Sequence, residues 1–600
     1  MSKVSRREFL KGAAGSAVGL AGIGLLGSAV LADQNSVQQP AQQADTSGIN
    51  WDYEADVVVI GSGGAGLPAA LRALDEGLSV LIVEGAYDVG GRAALSGGNL
   101  HSGCGTEIQK KYGIEDSADK YYIDHTTSLT LEARYNDREY VRSVADYMAE
   151  AYEYILAKGV IIKDVEPMHQ TDYTEGGNSP ESVGRWTYCD QDAEDWVAYA
   201  DGISPSQGGL YREGIALTRP LERSYRQQGG KFLLNYHMDK IYREGNLSGR
   251  ALGIQAHYTP TILPGESQPM QSLWSEGNID SSAEMVNVKA NRAIVIATGG
   301  SSGNVYFRTM IDPRRQIEYD CTCGDPFCYK DASGELAAMA IGACLGAVAN
   351  QVQNGGNISK ANMVGTQYID SYATVNPRSP LFKLSRATGL RVNNYDDIIL
   401  VNMLGQRFVD ETTGGDAFSA AAMASVVVTD PADGEVHRYG GPLWAIFDSE
   451  AVARHEWTID DTSVDRADGR FFEADTIEEL ADKIVNKYYE SIKMDPQTLA
   501  ATIQRYNELV DTGVDEDFGK SRLPHKIHTG PFYAAWATPG LHDTTTGLRV
   551  NRKMQVMDLF EQPIPGLYCC GESSGGQRIH GLGRVITSGY IAGLYAASEG

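Results

Sequence analysis

Asp56-Val57-Val58-Val59-Ile60 runs straight into Gly61-Ser62-Gly63-Gly64-Ala65-Gly66, and no other stretch of the chain restricts its fold as much. An unbroken apolar run reads as a parallel strand buried on both faces. The glycines follow it directly, and a helical stretch begins at Leu67 and ends near Glu76. A second apolar strand, Ser79-Val80-Leu81-Ile82-Val83, then stops at the acidic Glu84. Strand, glycine turn, helix, strand and acid in this order form a dinucleotide-binding βαβ unit. Gly61, Gly63, Gly64, Ala65 and Gly66 let backbone approach a pyrophosphate at a helix N-terminus. Glu84 stands where a carboxylate accepts hydrogen bonds from an adenosine ribose.

Further glycine segments separate a flavin dinucleotide from a nicotinamide one. Gly90-Gly91-Arg92 and Ser96-Gly97-Gly98-Asn99 follow the acidic strand end. Far downstream, Ala293-Ile294-Val295-Ile296 leads into Ala297-Thr298-Gly299-Gly300, a second strand-then-glycine unit. Near the C-terminus Gly566-Leu567-Tyr568-Cys569-Cys570 leads into Gly571-Glu572. A long, bent cofactor needs backbone contacts along its whole length, and such dispersed glycines suit FAD. The chain has 67 glycines in 600 residues, above the usual share of about 7%.

The first residues read as an address. Ser5-Arg6-Arg7-Glu8-Phe9-Leu10-Lys11 precedes a Gly/Ala-rich apolar stretch from Gly12 to Ala32. This pattern resembles a twin-arginine export signal, expected to be cleaved after Ala32. Residues 33–50 are rich in Gln, Ser and Ala and read as a linker. Export by this route carries folded proteins, so the cofactor would be loaded beforehand. With 51 basic and 78 acidic residues the net charge is −27, which argues against binding nucleic acid or anionic lipid. No integral span is expected once the signal is removed.

Beyond the nucleotide site, Leu400-Val401-Asn402-Met403-Leu404-Gly405-Gln406-Arg407-Phe408-Val409-Asp410-Glu411 is the most specific segment. Thr502-Ile503-Gln504-Arg505-Tyr506-Asn507, Asp515-Glu516-Asp517-Phe518-Gly519, Gly530-Pro531-Phe532-Tyr533-Ala534 and Pro539-Gly540-Leu541-His542-Asp543-Thr544 accompany it. On these segments the chain, from residue 51 to 600, resembles the FAD-dependent fumarate reductases, urocanate reductases and 3-ketosteroid dehydrogenases. The resemblance implies an α/β fold: a doubly wound, Rossmann-like FAD-binding domain (residues 51–353 and 541–600) with an inserted α+β clamp or capping domain (354–540). Residues 476–512 read as helical through Ile477, Leu480, Ile484, Leu499, Ile503 and Leu509, which suits the clamp. FAD is expected to be non-covalent, although His101 lies near the place where membrane-complex relatives attach it.

The family pattern breaks at the chemistry. Fumarate reductases carry a proton-donating arginine just after the Arg-Phe-Val-x-Glu stretch. Here that segment reads Glu411-Thr412-Thr413-Gly414-Gly415-Asp416, with Gly415 at the arginine's place. Glycine cannot donate a proton. A substrate-binding histidine early in the clamp is also missing from Gln351-Val352-Gln353-Asn354-Gly355. What survives is His542, together with Arg578, His580 and Arg584 in a C-terminal glycine-rich turn that aligns poorly. These four are the candidate catalytic residues; Tyr395 reads as packing. Cys321, Cys323 and Cys328 fall within eight residues; they read first as ordinary thiols, then as a disulfide, last as metal ligands, and no metal site is assigned. With no C-x-x-C-H no covalent haem is expected, and electrons are expected to come from, or go to, a separate cytochrome or quinol-linked partner. The expected activity is reduction of a C=C bond conjugated to a carbonyl or carboxylate, other than fumarate's, as a respiratory electron acceptor. The reverse chemistry, introducing a C=C bond into a ketosteroid-like substrate, and a non-catalytic electron relay stand as alternatives.

Overall fold

The computed structural model describes residues 48–127, 136–169, 182–190, 214–311, 317, 329–347, 363–366, 382–412, 426–429, 434, 436–439, 442–488, 493–538, 544–576 and 581–599. Strand β1 (Tyr53–Ile60) enters the glycine turn and helix α1 (Gly66–Asp75), and β2 (Val80–Glu84) returns parallel to β1, Val57 opposite Val80. The sheet continues through β3 (Lys231–Leu234), the hairpin β4 (Tyr236–Arg243) and β5 (Ala251–Tyr258), and the long β6 (Met285–Ile296). Pairs β1–β2, β1–β6 and β2–β3 are parallel, while β5 lies antiparallel to the first half of β6. Val57, Val58, Val59, Ile294, Val295 and Ile296 are wholly buried. That explains their apolar, β-branched character, since each contributes roughly 1.5–3 kcal/mol by leaving water.

Helix α2 (Ser333–Ala340) follows, and a short ribbon, Leu345–Gly346 against Gly547–Leu548, stands where the chain leaves this body and comes back. Between the two lies a second hydrophobic core, drawn from Met363 to Ala537, separate from the core that takes residues from Ala55 to Ala343 and from Leu548 to Ala596. Its four-stranded antiparallel sheet comprises β7 (Ile399–Val401), β8 (Trp444–Asp448), β9 (Phe471–Ala474) and β10 (Phe532–Trp536), in the order β7-β8-β10-β9. Trp444 and Trp536 pack edge to face at 5.5 Å on this sheet.

The helical reading of 476–512 needs correction. Two helices occupy it, α3 (Ile477–Lys483) and α4 (Pro496–Thr512), and the bridge Val485–Lys493 lies between them. The separation is written in the caps. Asp495 accepts from the Thr498 amide and Pro496 takes the first helical turn, a position where proline's missing N–H costs nothing. Of the positions expected to face inward, the helices bury Leu480, Leu499, Ile503 and Leu509, while Ile477 is only partly buried and Ile484 lies buried just past the end of α3.

The chain closes with β11 (Gln555–Met557), β12 (Pro563–Cys569), which joins β6 in parallel, and α5 (Leu582–Ala597). Helix α5 lies directly on α1. A Cβ on Gly589 would stand 2.2 Å from the Ala65 carbonyl oxygen, and one on Gly593 2.3 Å from that of Ala69. Only glycine permits this approach, which closes the C-terminal helix over the first glycine turn.

Candidate active site

The carboxyl ends of β1, β2, β6 and β12 open into one cleft, where ligands bind in open α/β sheets. Of the residues read from sequence as cofactor contacts, Gly61, Gly63, Gly64, Ala65, Glu84, Gly91, Arg92, Ser96, Gly97, Asn99, Ala297, Thr298, Gly299, Gly571 and Glu572 line it. Gly66, Gly90, Gly98 and Gly300 are absent from the wall and act behind it. Gly66 shows why: a Cβ there would meet the Gly61 carbonyl oxygen at 1.9 Å, so it is the glycine that lets helix and strand close up. Gly90 donates its amide to Ser62 Oγ (3.2 Å), and the Gly98 carbonyl accepts from Cys189. Gly300 sits against Thr544 and Glu572.

The cleft suits an anionic dinucleotide by its chemistry. Helix α1 begins at Ala65 with no side-chain cap and no acid in its first turn, which leaves amides and the positive end of the helix dipole for a pyrophosphate. Glu84 accepts from the Ser62 amide (2.8 Å) and hydroxyl (2.7 Å) through Oε2, and from the Ala86 amide (2.8 Å) through Oε1. A carboxylate has about four acceptor positions, so one remains for a ribose hydroxyl. Glu572 is flanked by Lys330 (3.2 Å) and Arg92 (3.7 Å). Arg92 and Lys330 both line the cleft, and cationic side chains there suit the phosphates of a dinucleotide.

Sequence reasoning missed Trp186, Tyr236, His237, Met238, Tyr329, Lys330 and Ser333, all on the cleft wall. A signal existed for Tyr236, His237 and Met238. They follow the carboxyl end of β3, the next parallel strand beyond β2. For Trp186 there was none. It reaches the cleft because its short strand Trp186–Tyr188 pairs with Asn99–His101.

Among the candidate catalytic residues, Arg584 lines the cleft from the first turn of α5 and is buried. His542, Arg578 and His580 lie outside the described residues, as do Gly415, Cys321, Cys323 and Cys328. Tyr395 is buried in the second core, in keeping with a packing role. His101 is buried away from the cleft wall, its ring 5.8 Å from that of Trp186 and 5.9 Å from that of His125. The described cysteines Cys104, Cys189, Cys344, Cys569 and Cys570 are free thiols, and burial pushes the Cys569 and Cys570 thiols up so that they stay protonated.

One further carboxyl group lies close by. Glu335, in the first turn of α2, is fully buried, and neither of its oxygens has a hydrogen-bond partner. Burial, with Asp331 and Glu572 adding to it, pushes its carboxyl up to about 8. At neutral pH it is a neutral acid.

Known proteins agree with this geometry. The chain is 26% identical to the fumarate reductase (cytochrome) of Shewanella frigidimarina, over 90% of this chain and 77% of that one. It is 26% identical to the acrylate reductase flavoprotein subunit of Shewanella woodyi, over 99% and 98%. The fold is shared with the 3-ketosteroid delta1-dehydrogenase of Sterolibacterium denitrificans, with a TM-score of 0.60, 19% identity and coverage of 91% and 99%. The family model described as FAD binding domain matches residues 56–585, and the chain belongs to that family as an FAD-binding oxidoreductase.

Proposed function

We propose that this chain is an exported enzyme that reduces a C=C bond conjugated to a carbonyl or carboxylate, with a substrate other than fumarate. The observation that carries the reading is the pairing of a complete cofactor cleft with Gly415 at the place of the proton-donating arginine. FAD, when bound, supplies hydride transfer at N5. The chain's own part is to hold the cofactor along the glycine wall, orient the substrate and deliver a proton to its α-carbon. Arg584, His542, His580 and Arg578 are the groups available for that proton, and Arg584, already on the cleft wall, is the first to test. Residues 354–540 would close over the substrate and exclude water. Electrons would arrive from a separate cytochrome or quinol-linked protein. Among the described residues no helix is long and apolar enough to cross a membrane.

Anaerobic reoxidation tests the reading. The flavin of the purified protein is reduced chemically, then offered fumarate, urocanate, cinnamates, acrylate, enones and ketosteroids. Rapid return of the oxidised spectrum with one class other than fumarate is the expected result. Reoxidation by fumarate alone would overturn the weight placed on Gly415. Silence across the panel, with the oxidised enzyme bleached by a saturated ketosteroid, would reverse the direction of the reaction.

A further inference from the structure

A group of ligands stands on the rim of the cleft, on the hairpin of β4 and β5. The two strands are antiparallel, and the register sets His237 directly opposite His257. Directly opposed residues of such a pair project from the same face of a sheet, and these two imidazoles lie 5.2 Å apart, centre to centre. The ladder then slips: Met238 pairs Ala256, whereas Lys240 pairs Gln255. Asp239 is the extra residue at that slip. A bulge of this kind re-aims a side chain, and here it brings the Asp239 carboxylate to 2.7 Å from His257 Nδ1 and 3.8 Å from His237 Nδ1.

The other nitrogen of His237 is already engaged. Nε2 lies 2.6 Å from Asp331 Oδ2, so it carries the proton and Nδ1 presents a lone pair. That Nδ1 is buried and has no hydrogen-bond partner. A histidine whose far nitrogen is held by a carboxylate while its near nitrogen faces a second imidazole and a carboxylate has the outer support found around metal-ligating histidines. Among the described residues these three are the one group of metal-ligating type whose donor atoms all lie within 4.8 Å of one another.

We propose that His237 Nδ1, His257 Nδ1 and an Asp239 carboxylate oxygen bind one zinc ion, with the fourth position open to water. The geometry is close to what the ion needs. Metal bonds of about 2.0–2.2 Å in a tetrahedral site separate the ligand atoms by about 3.3 Å; Asp239 stands 2.7 and 3.8 Å from the two imidazole nitrogens, and all three donor atoms lie within 4.8 Å of one another, so small side-chain shifts would seat the ion. Two imidazoles and one carboxylate suit zinc better than calcium or magnesium, which take oxygen donors. The site's place suggests its consequence. His237 lines the cofactor cleft, and Asp331 accepts from the Ser333 amide (3.0 Å), Ser333 also being on the cleft wall. Zinc would therefore tie the two strands of the hairpin together and hold His237 in the tautomer that donates to Asp331. No step of the proposed reduction depends on it.

The test uses chelator-washed, FAD-loaded full-length protein titrated with zinc chloride in a calorimeter. Flavin absorbance verifies that each variant keeps its cofactor. One zinc per chain with micromolar or tighter affinity is expected. His257→Ala should abolish this binding, and Asp331→Asn should weaken it roughly 10–100-fold, the usual cost of removing such an outer carboxylate. Because Cys321, Cys323 and Cys328 could also take zinc, a variant with all three changed to Ser is titrated alongside and should bind as the parent does. Absence of saturable binding, unchanged affinity in His257→Ala, or loss of binding only in the serine variant would each overturn the proposal.

Discussion

Glu335 offers a direct test of the electrostatics beneath the cofactor cleft. Its carboxyl rises from 4.5 to about 8, and at 1.36 kcal/mol per unit this is on the order of 5 kcal/mol. The sign follows from linkage. The folded value lies above the unfolded one, so the folded chain holds one extra proton between about pH 4.5 and pH 8. The associated stability is fully present below that window and lost as pH rises through it. Between about pH 6 and pH 9 the loss is on the order of 3 kcal/mol, or about 2 °C in Tm for a chain of this size. Glu335→Gln removes the titration. Its amide has no better partners than the acid had, so the variant should be uniformly less stable, but its Tm should lack the wild-type decline across that pH range. Flavin release on heating reads the Tm of both holoproteins. Infrared difference spectra should show a neutral carboxylic acid stretch at neutral pH that vanishes in the variant. A wild-type and variant Tm that fall in parallel, with no acid band, would refute the claim that Glu335 is buried neutral.

Three further outcomes follow from the same structure. Gly66→Ala places a methyl 1.9 Å from the Gly61 carbonyl, a backbone atom that cannot yield without opening the glycine turn; the protein should purify without flavin, read as a flavin-to-protein absorbance ratio near zero. Glu84→Gln keeps the shape but replaces a carboxylate accepting from Ser62 and Ala86, and charged hydrogen bonds of about 1.5–3 kcal/mol predict FAD affinity roughly 10–100-fold weaker by fluorescence titration. Arg407→Met leaves Glu411 and Asp515 buried without the guanidinium that now bridges them at 2.8 and 2.9 Å; a cost of about 3–5 kcal/mol should appear as faster proteolysis within residues 354–540 while the flavin stays bound.

The cofactor half of the molecule was legible because its physics is local. A pyrophosphate needs bare backbone, bare backbone needs glycine, and glycine after an apolar run is visible in one dimension. Fifteen of the nineteen residues read as cofactor contacts stand on the cleft wall, and the four that do not are close-packing or turn positions beside it. What escaped was assembled by pairing. Trp186 enters through a three-residue strand whose partner lies far away in sequence. His237 and His257 are twenty residues apart and become neighbours only through the hairpin register. Glu335 looks like an ordinary first-turn acid until its burial is known.

The rest of the chain stayed opaque for a different reason, and the second core makes it plain. The segments that most strongly mark the family converge on one buried ion cluster. Arg407, from the first of them, pairs with Glu411 of the same segment and with Asp515 of another. Its guanidinium lies 5.1 Å from the ring of Phe518, in the same segment as Asp515, and 5.3 Å from that of Tyr506, a member of a third such segment. Glu411 also accepts from the Leu400 amide and stands 3.5 Å from the buried Lys520. Together these contacts tie the segment at residues 402–411 to β7, α4 and the loop at residues 515–520, and none of these residues lines the cofactor cleft. A buried charge left without its partners is so costly that the cluster must persist as a unit whatever the substrate is. Such motifs therefore report the scaffold of the second core.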